Sequence, residues 1–127
     1  MFLSQKIALV DDSTPFCLFV QQLLETETCT LDTYNTAHDF FKIPSRIKLY
    51  DLIIMDINLP DMDGLTALTM LKSNPITENI PVLLLSGDSR AATVKTGVKL
   101  GAKDFITKPI DPEQLIERVS SLLNGSL

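Results

Sequence analysis

Three short apolar runs punctuate the chain: Ile7-Ala8-Leu9-Val10, Leu52-Ile53-Ile54-Met55 and Val82-Leu83-Leu84-Leu85. Each is too short for a helix and rich in Val, Ile and Leu, the pattern of parallel strands buried on both faces. A weaker stretch, Thr30 to Tyr34, mixes in polar residues, as an edge strand does. Asp104-Phe105-Ile106-Thr107 makes a fifth.

Between these runs the spacing turns helical. Phe16, Phe19, Val20, Leu23 and Leu24 fall at i, i+3, i+4, i+7 and i+8, one face of a helix. Ser13 or Thr14 supplies its cap, and Pro15 suits its first turn. Leu65, Leu68 and Leu71 recur until Asn74-Pro75 stops the pattern. Ala91, Val94 and Val98 mark a weaker helix, with Gly97 inside and Gly101 as its C-terminal cap. Asp111-Pro112 opens a last helix whose expected buried face is Leu115, Ile116, Val119, Leu122 and Leu123. A poorer helix is expected over 37–43. Strand and helix thus alternate five times. That order predicts a doubly wound α/β fold, a parallel sheet with right-handed crossovers and helices on both faces.

Composition narrows the function more than the fold. The 127 residues make one domain, 45% hydrophobic and 21% charged. Sixteen acids against eleven Lys and Arg leave a net charge of −5, without a basic run, which disfavours direct nucleic-acid binding. Cys17 and Cys29 are too few for a disulfide framework and are expected to be free thiols. No apolar stretch approaches the ~18 residues of a membrane span, and no signal-peptide pattern opens the chain. A cytoplasmic, non-membrane domain is expected, with a core of about 5–123 and a short polar tail at 124–127. The lone His38 falls at the start of the weak second helix, away from the strand ends, and reads as a surface residue.

Open parallel sheets bind ligands beyond the carboxyl ends of their strands. Asp11 and Asp12 follow the first run, Asp56 the second and Ser86 the third, while Lys108 and Pro109 follow the fifth strand. Singly, each has an ordinary use: an Asp or Ser caps a helix or forms a turn, and a Lys sits at the surface. Together they are costly. Two carboxylates ~5 Å apart repel by about 3 kcal/mol at an effective dielectric near 20. A fold that gathers three needs positive charge among them. Hard oxygen ligands in a partly open set suit Mg²⁺. A carboxylate, a divalent metal, a lysine and a hydroxyl are the parts of phosphoryl transfer.

These residues carry a resemblance. Over about residues 5–123 the chain resembles the receiver domain of two-component response regulators. The matching pieces are Leu9-Val10-Asp11-Asp12-Ser13, the stretch Ile54 to Gly64 around Asp56, Leu85-Ser86-Gly87, Gly101 to Ile106, and Thr107-Lys108-Pro109. The resemblance implies a flavodoxin-like (βα)5 sandwich with strand order 2-1-3-4-5. It implies that Asp56 accepts a phosphoryl group and that Asp11, Asp12, Asp56 and the Asn58 backbone carbonyl bind Mg²⁺ (or Mn²⁺). It implies that Ser86 and Lys108 contact the phosphoryl group and that the Lys108-Pro109 bond is cis. Phe105 stands at the switch aromatic. Asn58 and Asp88 stand where the rate of self-dephosphorylation is tuned. The implied partners are a histidine kinase or histidine phosphotransfer protein and a downstream output domain or protein. They act through a changed surface of the fourth helix, fifth strand and fifth helix, in a monomer or a phosphorylation-dependent dimer.

Two departures stand out. Phe105 lacks the hydroxyl of the Tyr often found there, so its switching rests on packing. Gly87 replaces a small residue such as Ala, which frees the backbone. Three rival readings stay open: a flavin-phosphate binder, which Asp11 and Asp12 would repel; an aspartyl-phosphate phosphatase, which needs an acid where Asn58 stands; and a receiver fold used only for docking. The cognate kinase, the signal and the output module are not legible.

Overall fold

A computed structural model describes residues 4–87 and 90–124. Five strands, β1 (Gln5–Val10), β2 (Cys29–Tyr34), β3 (Leu52–Asp56), β4 (Val82–Ser86) and β5 (Asp104–Thr107), form one parallel sheet in the order β2-β1-β3-β4-β5. The three continuous apolar runs occupy its centre, buried on both faces, and the two polar-laced strands lie at its edges. Ile7 pairs with Leu52, and Ile53 with Val82, so the central ladders start level and end level.

The helices are α1 (Thr14–Leu24), α2 (Ala37–Phe41), α3 (Pro44–Ile47), α4 (Gly64–Lys72), α5 (Ala91–Lys99) and α6 (Pro112–Leu123). Strand alternation divides the core between them. Ile7, Leu9, Ile54, Leu83 and Leu85 pack with α1 and α6 residues Cys17, Val20, Leu115 and Val119. Ala8, Val10, Ile53, Met55 and Leu84 pack on the other face with Phe40, Ile47, Leu68 and Leu71.

The structure corrects four sequence expectations. The weak helix expected over 37–43 ends at Phe41, and a sixth helix follows, with Pro44 in its first turn. Ile43, which the single-helix reading included, is instead the exposed, non-helical joint between them. The buried stripe of α1 is Cys17, Val20 and Leu24, so Phe19 faces solvent. Ile116 of α6 is exposed, while Leu115 and Val119 face the core. Val98 of α5 is exposed as well, because Gly97 is the residue against the sheet. A Cβ there would lie 2.8 Å from Leu84 Cδ1. Helix starts match the expected caps: Ser13 accepts from Phe16 N–H and Asp111 from Glu113 N–H. Gly101, with φ +108°, takes the left-handed position just after α5.

Candidate functional site

The β1–β3 register sets the first part of the site. Val10 lies opposite Met55, so Asp11 and Asp56 close the two strands side by side. Asp11 is fully buried and Asp56 is 4% exposed, while Asp12 opens to solvent. One carboxylate oxygen from each of the three lies within 4.8 Å of the others.

Lys108 reaches the pair from the far side of the sheet. Its backbone N–H donates to Ser86 O at 2.7 Å, which fixes the chain just past β5, and the Lys108–Pro109 peptide is cis. Its ammonium donates to Asp11 Oδ2 at 2.7 Å and to Asp56 Oδ2 at 3.3 Å. The remaining carboxylate oxygens are held by the backbone. Ser13 N–H donates to Asp11 Oδ1 and Asn58 N–H to Asp56 Oδ1. The Phe16 ring covers the ammonium, 4.5 Å from its centroid.

Burial raises the Asp11 carboxyl above its ordinary range; the Lys108 hydrogen bond pulls the other way, and the charge of Asp56 adds to the rise. Burial also opposes the charge on Lys108, yet the contacts with Asp11 and Asp56 outweigh it and raise this group too. Three carboxylates against one ammonium leave two formal negative charges. The donor set is therefore hard oxygen, anionic and open to water at Asp12, which fits a small divalent cation such as Mg²⁺.

Ser86 ends β4, is fully buried and pairs with Thr107. It lies on the same sheet face as Leu84, whose register partner is Phe105. The hydroxyl and the aromatic ring thus share one face of neighbouring strands. Phe105 is half-buried against the α2–α5 side of the core. Asn58 sits in the loop after β3, exposed, bridging to Asp63. Asp88 lies outside the described residues.

Four neighbours of the site were given no role there by the sequence reading. Gly64 lets α4 begin against β3: a Cβ there would lie 2.3 Å from Asp56 O. Asn35 Nδ2 donates to Asp11 O. Asp61 accepts from Ala37 and His38 N–H and ties the loop after β3 to α2. Phe16 looks in sequence like one more core position. A Gly at a helix start was a usable signal for close approach; nothing local marked the others. His38 is exposed and outside the acidic cluster, and Cys17 and Cys29 are free and buried.

A family model described as the response regulator receiver domain matches residues 7–120. The response regulator PleD of Caulobacter vibrioides is 36% identical over 126 residues, covering 98% of this chain and 27% of PleD. The regulatory protein VanR of Enterococcus faecium is 34% identical over 121 residues, covering 95% of this chain and 51% of VanR. The chain thus spans between about a quarter and half of these relatives' length. The BeF3-activated receiver domain of DrrB, a Thermotoga maritima protein, superposes with a TM-score of 0.83 at 31% identity, over 97% of this chain and 100% of that one.

Proposed function

The chain belongs to the receiver domain family of response regulators, the signalling proteins of two-component systems, and from that membership we propose that Asp56 is its phosphoacceptor. The observation that carries this reading is the Lys108 ammonium bridging Asp11 and Asp56 at the strand ends.

A histidine kinase or a histidine phosphotransfer protein presents a phosphohistidine. The Asp56 carboxylate attacks in line; a P–O bond forms as the P–N bond breaks, and the imidazole leaves. Mg²⁺ (or Mn²⁺), held by Asp11, Asp12, Asp56 and the Asn58 carbonyl, supplies neutralisation of oxygen charge when bound. Asn58 N–H already holds one Asp56 oxygen, which leaves Oδ2, now shared with Lys108, as the nucleophile. After transfer the new group carries ~2 negative charges. Lys108 turns from the carboxylates to it, and the Ser86 hydroxyl donates to a phosphoryl oxygen.

The switch follows from the shared face of Ser86 and Phe105. Drawing Ser86 inward opens space along β4, and Phe105 turns into it. The α5–β5–α6 surface then changes, and an output domain or protein reads the difference between two states. Asn58 and Asp88, the two positions the family resemblance assigns to tuning, set the rate at which water slowly hydrolyses the acyl phosphate. The domain works in the cytoplasm; among the described residues no helix is long and apolar enough to cross a membrane.

Intact mass after incubation with phosphoramidate or acetyl phosphate tests the reading. A gain of about 80 Da, one phosphoryl group, is expected with Mg²⁺, and none with excess EDTA or in Asp56→Asn. No gain from either small donor or from phosphorylated kinases, with Mg²⁺ still bound, would replace the switch with a docking module.

A further inference from the structure

We propose that the groove between α2–α3 and α4 is a second docking surface, on the side of α4 away from α5, which takes an amphipathic helix with an acidic flank from a partner protein. Two hollows of about 490 and 390 Å³ adjoin there and share Phe41 and Met70. Together they run from Met62, ahead of α4, to Ile76 and Thr77, beyond its end. Nine helical residues at about 1.5 Å each make α4 alone roughly 14 Å long, enough to seat two to three turns of a partner helix.

The chemistry of the lining selects the occupant. The larger hollow is apolar, with buried Ile47 and Leu71 in its floor and Met70 and Ile76 left 44% and 67% exposed. Unbranched Met70 and Met62 adapt to different anchors. Apolar side chains at i, i+4 and i+7 fit such a groove. The charged residues along it are Lys42, Lys48 and Asp61. Asp61 is engaged: its two oxygens accept from Ala37 and His38 N–H. Asp61 keeps its charge, so Lys42, Lys48 and Asp61 together leave one net positive charge along the groove, on a chain whose net charge is −5. An acidic helix meets complementary charge here and repulsion over much of the remaining surface. The loop that carries Asp61 and Met62 follows β3 and its last residue Asp56, so that loop connects the groove to the proposed phosphoacceptor.

The test is selection from a displayed library of helical peptides with randomised flanks, followed by ¹⁵N-labelled mapping of synthetic winners on the whole chain. Winners are expected to carry Asp or Glu beside an apolar stripe and to shift the amides of Phe41, Ile47, Met70 and Ile76. Affinity is expected to fall at least tenfold with Met70→Glu, and at least fivefold with Lys42→Glu and Lys48→Glu together. Unchanged melting curves and phosphoryl uptake of the variants would show that they fold. Basic or uncharged winners, winners that bind Met70→Glu as well as the parent, or no winner at all would overturn the proposal. A concentration-dependent dimer that shifts the same amides would assign the groove to a second copy instead. Loss of phosphoryl uptake by the parent chain would bear on the proposed function and leave this surface standing.

Discussion

Lys108 Nζ lies 2.7 Å from Asp11 Oδ2, although 97 residues separate the two in sequence. Asp56 stands farther, at 3.3 Å. The fully buried aspartate, rather than the proposed phosphoacceptor, is thus the lysine's nearer partner. Among the described residues, Lys108→Met would leave the buried Asp11 carboxylate with the Ser13 N–H alone to hold it. Removing one member of a buried pair costs about 3–5 kcal/mol, less where the pair is partly open to water, as at Lys108. Chemical denaturation in EDTA should show a loss of roughly 1–3 kcal/mol, much of it recovered in Mg²⁺. An unchanged midpoint in EDTA would mean that the lysine contributes nothing to the resting fold.

Asp12 is the outer, exposed member of the acidic cluster. Its charge adds to that of Asp11 and Asp56, and among the described residues no Lys or Arg forms an ion pair with it. Asp12→Asn should raise the metal-free melting temperature by up to about 4 °C, small because water screens an exposed charge. The same variant should lose Mg²⁺-dependent phosphoryl uptake. A lower melting temperature in EDTA would contradict the repulsion argument.

Asp61 gives the clearest pH signature. The backbone N–H of His38, then that of Ala37, holds its carboxyl below the ordinary carboxylate range, while slight burial acts the other way. A lowered group stabilises the fold while ionised. Its contribution is present above the unfolded value of 3.8 and is lost as the pH falls through the folded one. Asp61→Ala should therefore melt a few degrees below the parent at pH 7. The gap should narrow as the pH drops past 3.8. A gap that stays constant with pH would place the effect in packing rather than charge.

Much of this arrangement was legible because a parallel sheet is monotonous. Once Ile7–Val10, Leu52–Met55 and Val82–Leu85 read as buried strands, the residues that follow them had to gather at one end. Asp11, Asp56 and Ser86 follow those runs directly, Lys108 needs the short fifth run at 104–107, and the meeting of Asp11 with Asp56 needs the strand order that the resemblance implied. The misreadings lie where the local pattern was degenerate. Phe16, Phe19, Val20 and Leu23 offer a helical stripe as good as Cys17, Val20 and Leu24, and only packing against β1 and α6 chooses between them. Pro44 could stop one helix or start another, and Ile47 and Tyr50 in the core decide for the second. The Asp61 bridge spans 24 residues, from a loop to the start of α2, and no periodicity reports such a contact.

Cys17 lies beside the acidic site, its thiol donating to Asp11 O at 3.4 Å. Burial, with the charges of Asp11 and Asp12, pushes it up to about 11, Lys108 acting the other way. At pH 8 about one molecule in a thousand would carry the reactive thiolate, and the side chain is 3% exposed. Native protein should resist iodoacetamide at pH 8 for hours at both Cys17 and Cys29, and should take up two equivalents once unfolded. Rapid labelling of Cys17 in the native chain, read by peptide mass, would show that α1 opens from the sheet.

Two glycines beside the site should respond in opposite ways to the same added methyl group. At Gly64 a Cβ would fall 2.3 Å from Asp56 O and 2.6 Å from Ile57 Cα, so the backbone that carries the proposed phosphoacceptor would have to move. Overpacking of this kind costs about 1–3 kcal/mol or more. Gly64→Ala should melt well below the parent and take up phosphoryl groups more slowly, since a displaced Asp56 no longer faces Lys108 at its present distance. At Gly87, just past Ser86, a Cβ would meet nothing within 4 Å, and φ there is not in the left-handed region. The methyl group then acts on the unfolded chain alone, and Gly87→Ala should stabilise by about 0.4–1 kcal/mol. It should also stiffen the segment that Ser86 must carry toward the phosphoryl group. A stabilised Gly87→Ala with slower BeF3 saturation, followed by Phe105 ring signals, would place backbone freedom at Gly87 in the switch. Stabilisation with unchanged kinetics would confine that glycine's effect to folding.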